Sequence, residues 1–229
     1  MKERAAESIK CIVAENKGRK GFIISKDSPS FEWLMNESNI LVDKSMFARL
    51  IAEEPDTIKG FFYPRPWCKT DLMSMAHFFL RIEVDSNGAP LVDQFTPSRL
   101  TFKKKFPTAA ILNDRKFMSE DFGKHPCIYL SLSCGAVASY SEFIYFIRSK
   151  FSELYKQFKW LLIPMKAPYN AHKFDDEDIK HFQRIMNKDV TVQLYDLHCA
   201  LEFLAQILYK HFDLEQKSDG FKRVFTYCI

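Results

Sequence analysis

Ile58-Lys59-Gly60-Phe61-Phe62-Tyr63-Pro64-Arg65-Pro66-Trp67-Cys68-Lys69-Thr70-Asp71-Leu72 is the stretch on which the reading of this chain turns. Ile58 to Tyr63 is a short apolar run of strand character. Pro64 to Thr70 makes a tight loop, and Leu72, Met75, Ala76, Phe79 and Leu80 then recur at helical spacing through to Ile82. Strand, loop, helix is the setting of a phosphate-binding loop. There, backbone N–H groups wrap phosphate oxygens, a Lys reaches the outer phosphates and a Ser or Thr holds Mg²⁺. Lys69-Thr70 stands at the matching point, while Tyr63 and Cys68 occupy the positions where such a loop carries glycine.

Upstream, apolar positions from Phe31 to Ile51 read as two short helices broken around Glu37-Ser38-Asn39. Asp43 or Ser45 is placed to cap the second of them. Downstream, residues 84–124 read as a long polar and basic connection with a turn at Asp85-Ser86-Asn87-Gly88. A connection of that length inside a domain is read as an insertion. Cys127 to Leu132 is nearly continuous apolar sequence, which suits a buried parallel strand. Ser141 to Leu162 carries Phe143, Phe146, Ile147, Phe151, Leu154, Phe158 and Leu161 on one helical stripe, with Ser139 or Ser141 as its cap. A further helix opens at Asp175-Asp176-Glu177-Asp178, where acidic residues favour an N-terminus. Thr191 to His211 is amphipathic, and Val224 to Ile229 reads as a strand. Strands alternating with helices predict an α/β fold with a parallel sheet.

Several of these segments together resemble one family. Leu41-Val42-Asp43-Lys44-Ser45, then Tyr63 to Thr70, then Ser74-Met75 and Phe78-Phe79 match the order and offsets of motifs in the AAA-ATPase-like family. These are P-loop NTPase-like proteins often fused to a nuclease-like C-terminal domain. Glu83 to Leu91, Lys124 to Leu132 and Leu204 to Phe212 resemble further segments of the same family, so the resemblance spans about residues 30–215. It implies a P-loop NTPase-like parallel sheet flanked by helices, incomplete at its C-terminal end. Residues 1–30 are then a weakly specified lead-in, and 31–229 the N-terminal part of an AAA-ATPase-like domain with its insertion at about 84–124. The implied nucleotide site is Tyr63, Pro64, Arg65, Pro66, Trp67, Cys68, Lys69 and Thr70, with Thr70 as the Mg²⁺ ligand if ATP binds.

The chain departs from that pattern in ways that bear on activity. A Cβ at Cys68 intrudes where phosphate must approach, and Pro66 removes an N–H donor from the loop. The family's Walker B strand, ending in I-D-E-Y-D, has no counterpart in Val224 to Ile229, so no carboxylate is supplied to hold Mg²⁺. The expectation is therefore a degenerate P-loop domain with weak or no binding of ATP, no hydrolysis and no catalytic residue. Two alternatives stand beside it: a protein-interaction module that kept the fold, and a fragment of a larger ATPase/nuclease-like protein.

Composition sets the outer bounds. Hydrophobic residues at 47% and charged residues at 27% of 229 are ordinary for a chain that buries a core, and 22 Phe make that core bulky. A net charge of +4 is too small to argue for nucleic acid. Phe102-Lys103-Lys104-Lys105-Phe106 is accordingly read as a solvated basic run. The six cysteines form no C-x-x-C pair, and Cys68, beside Lys69 and a helix start, is the most reactive thiol candidate, although an inert replacement of glycine is the preferred reading. His198-Cys199 is the one adjacent His–Cys pair, expected to face different directions on a helix. No window approaches the roughly 20 apolar residues of a membrane span and no signal peptide is legible. The expectation is a cytoplasmic or nuclear protein with a possible protein partner and no membrane.

Overall fold

The computed structural model describes residues 11–13, 30–38, 40–53, 69–133, 137–163, 175–189, 192, 194–212 and 225–228. The strand candidate Ile58 to Tyr63 lies outside them. The chain divides into two units: one holds residues 1–81 and 93–123, the other 82–92 and 124–229.

In the first unit, β1 (Cys11–Val13) pairs antiparallel with β2 (Ile40–Val42), Ile12 opposite Leu41. The helices are α1 (Phe31–Glu37), α2 (Met46–Glu53), α3 (Lys69–Leu80), α4 (Pro97–Lys105), α5 (Ala110–Asn113) and α6 (Arg115–Glu120). Three of them thus lie in the polar stretch expected as a connection. Helix α3 is buried most, because its successive residues Ser74 to Ala76 and Phe78 to Leu80 all turn inward, with α1 and α2 packed on it. Phe31, Phe78, Phe79 and Phe102 form a tilted and edge-on ring cluster at its centre, with centroids 5.1–6.2 Å apart. Such geometries add to area burial because ring edges meet ring faces.

In the second unit, β3 (Cys127–Leu130) pairs parallel with β4 (Phe225–Cys228), Tyr129 opposite Tyr227. Between them run α7 (Tyr140–Gln157), a 3₁₀ turn at Lys159–Leu162, α8 (Asp176–Met186) and α9 (Leu194–His211). Ser139 caps α7 by accepting from the Glu142 N–H, and Asp175 caps α8 through the Asp178 N–H. The core joins Ile128 and Leu130 of β3 to Phe151, Leu154 and Tyr155 of α7, Phe182 and Ile185 of α8 and Leu204 and Leu208 of α9. Tyr155 donates to the Ala200 carbonyl at 2.7 Å, and burial pushes its phenol well above the ordinary range.

This architecture overturns the expected P-loop NTPase-like sheet. Among the described residues, strands of three or four residues form two separate two-stranded sheets, and most of those residues are helical. Only one parallel pair, β3 with β4, is present among them. The apolar stripes explain the difference: α7 packs on α8 and α9 as well as on β3. Bulky Phe and Leu stripes thereby bury one another helix to helix, where the expected fold would spread them over a wide sheet.

A turn in the second unit shows how tightly one loop is held. Asp85 Oδ1 accepts from the Asn87 and Ala89 N–H groups, and Val84 bridges Pro90. Gly88 at φ +82° lies on the Trp160 ring, and His211 Nε2–H donates to its carbonyl at 3.1 Å. A Cβ at Gly88 would come 2.4 Å from Trp160 Cε3. Gly88→Ala is expected to cost about 1–3 kcal/mol in chemical denaturation, from left-handed strain plus the ring clash. An unchanged denaturation midpoint would refute this account of the turn.

Candidate functional site

Lys69 and Thr70 form the first turn of α3, and both are half-buried. The remaining six loop positions, Tyr63 to Cys68, lie outside the described residues. A helix N-terminus carries partial positive charge, which Lys69 reinforces. Asp71 places a carboxylate in the same turn and opposes an anion there. Among the described residues no group of three or more His, Cys, Asp or Glu is placed to hold a metal ion. Lys69 and Thr70 alone do not make a nucleotide–Mg²⁺ site.

The other motif residues behind the family resemblance do structural work in the first unit. Asp43 Oδ1 accepts from the Ser45 N–H, and its Oδ2 from the Ala110 N–H at 2.8 Å. Ser45 Oγ accepts from the Ile111 N–H at 3.2 Å. These two side chains therefore satisfy the N-terminus of α5, some 66 residues away, beyond their expected role at α2. Ser74 Oγ accepts from the Phe31 N–H at 2.8 Å, tying the start of α1 to α3. Orphan N–H groups at helix starts need such partners. Phe78 and Phe79 complete the ring cluster.

The basic run is held in the same way. Lys105 Nζ reaches the Met35 carbonyl at 2.6 Å and the Asn36 carbonyl at 3.2 Å, closing the end of α1. Lys103 Nζ lies 4.7 Å from the Phe95 ring centroid. Two of the three lysines thus have intramolecular contacts. Arg49 pairs with Glu53 at 2.9 Å and with Asp114, itself the cap of α6. Burial pushes the Asp114 carboxyl up, but the Phe117 N–H and the Arg49 guanidinium bring it below its ordinary value.

His198 and Cys199 correct a sequence expectation. They are neighbours on α9, yet the Cys199 Sγ lies 3.9 Å from the His198 Nδ1. Side-chain torsions bring the two polar ends together across the outer surface of the helix, where both residues are accessible.

A separate surface emerges on α7, one that the sequence stripe concealed. Its second half buries Phe151, Leu154 and Tyr155, but from Tyr140 to Lys150 no residue is buried. Tyr140 is 69% exposed, Tyr145 67% and Phe143 43%. The start of this helix is firmly built: besides the Ser139 cap, Glu142 Oε2 accepts from the Ala138 N–H at 2.9 Å. The sequence signal was present, since Tyr140, Phe143, Tyr145 and Phe146 are four aromatics in seven residues. Phe143 and Phe146 fall on the stripe that reads as core, which hides that signal. Among the described residues no helix is long and apolar enough to cross a membrane. Comparison with known protein families, with curated proteins and with solved structures finds no match to this chain.

Proposed function

We propose that the chain is a protein-binding module and that the first turns of α7 are its contact surface. The observation that carries this reading is Tyr140 and Phe143, exposed one turn apart on a well-capped helix, with Tyr145 exposed on another face beside Lys188. Large aromatic side chains left in water on a rigid element mark interaction sites. Tyr in particular combines contact area with low side-chain entropy and a polar tip, which suits a surface that is wet when free and buried when bound. The test places a photo-crosslinking residue at Phe143 and, as a control, at Lys210, an exposed position on α9. A discrete protein adduct is expected at Phe143 and not at Lys210, and it should be lost in the Tyr140→Gln/Tyr145→Gln background. Those two substitutions are at exposed sites and should shift stability by no more than about 0.5 kcal/mol. Equal adducts at both positions, or none at Phe143, would overturn the reading.

A module of this kind works without turnover. Purified protein is expected to show no Mg²⁺-dependent ATP hydrolysis above background. The support is chemical: Pro66 and Cys68 stand in the phosphate-loop positions of the sequence, and Asp71 sits in the first turn of α3. Mg²⁺-dependent turnover that disappears in Lys69→Ala would displace the binding-module reading in favour of a nucleotide enzyme.

A further inference from the structure

We draw no further inference here: the strongest candidate, the Cys199–His198 thiol–imidazole pair on the outer surface of α9, rests on a lone cysteine with no second observation that points to a ligand.

Discussion

Arg99→Met is expected to destabilise the first unit by about 3–5 kcal/mol, read as a lower midpoint in urea denaturation. Arg99 is 2% exposed. Its guanidinium donates to the Phe78 carbonyl at 2.7 and 3.0 Å, the Arg81 carbonyl at 2.6 Å and the Gln94 carbonyl at 2.9 Å. Phe78 and Arg81 lie at the C-terminal end of α3, where carbonyls have no helical partner and carry partial negative charge. The Phe122 and Phe78 rings flank the cation, with centroids 4.8 and 5.9 Å from Cζ. Gly123, at φ +67°, leaves room for it: a Cβ there would lie 2.9 Å from Nη1.

Two effects compete in that substitution. Methionine spares the desolvation of a buried cation, which by itself favours the variant. Against this, carbonyls of Phe78, Arg81 and Gln94 all lose a charged donor inside the fold, at about 1–3 kcal/mol for each acceptor left unsatisfied. Three acceptors outweigh one spared cation, so the sign is destabilising. Arg99→Lys should recover only part, because an ammonium cannot reproduce the planar fork that reaches several carbonyls together. A loss below about 1 kcal/mol in Arg99→Met would show that water or rearranged donors replace the guanidinium, and would refute this account of how α3 ends.

What was legible in the sequence divides along the range of the interactions. Helices α3, α7 and α9 announce themselves through apolar spacing, α8 through its acidic start at Asp175 to Asp178, and the start of α7 through Ser139 or Ser141, because those signals act within one or two turns. The strands β3 and β4 also follow from short apolar runs, but their pairing with each other does not: the sequence reading sets Tyr129 beside Phe61, which lies outside the described residues, and the structure pairs it with Tyr227. The width of the sheet did not follow. A run such as Cys127 to Leu130 records that a strand is buried but not whether sheet or helix covers it. Long-range polar contacts were equally hidden: nothing near Asp43 indicates that its carboxylate meets Ala110. Pro97-Ser98-Arg99-Leu100 falls in the stretch that reads as a polar connection, although it opens a helix whose arginine lies among the most buried side chains. The α7 surface is hidden in the sequence for a simpler reason. A single stripe of aromatics has the same spacing whether a core or water faces it, so periodicity alone could not separate the buried second half from the exposed first.

The second large effect is acid sensitivity set by His77. Its imidazole lies in the last turn of α3, and burial, then the positive charges of Arg81 and Arg99, hold its pKa down to about 3. The unfolded chain binds that proton near the ordinary value of about 6.5. Above that pH both states are neutral and the group adds no pH dependence. Below it the unfolded state takes up the proton first, so stability falls with pH, by at most about 1.4 kcal/mol per unit. His211, lowered by burial in the second unit, acts in the same direction. Glu53 and Asp114, whose carboxyls also lie below their ordinary values, lose their contributions only in the carboxylate range. They do so equally in wild type and in a His77 variant. The difference between the two proteins therefore isolates His77. Urea midpoints at pH 7.5, 6, 5 and 4 should show His77→Gln the less stable protein at pH 7.5, through lost packing, with the gap closing and then reversing as pH falls. Parallel curves from pH 7.5 to 4 would mean that His77 takes up its proton alike in the folded and unfolded chain, and that the Arg81–Arg99 environment does not exclude it.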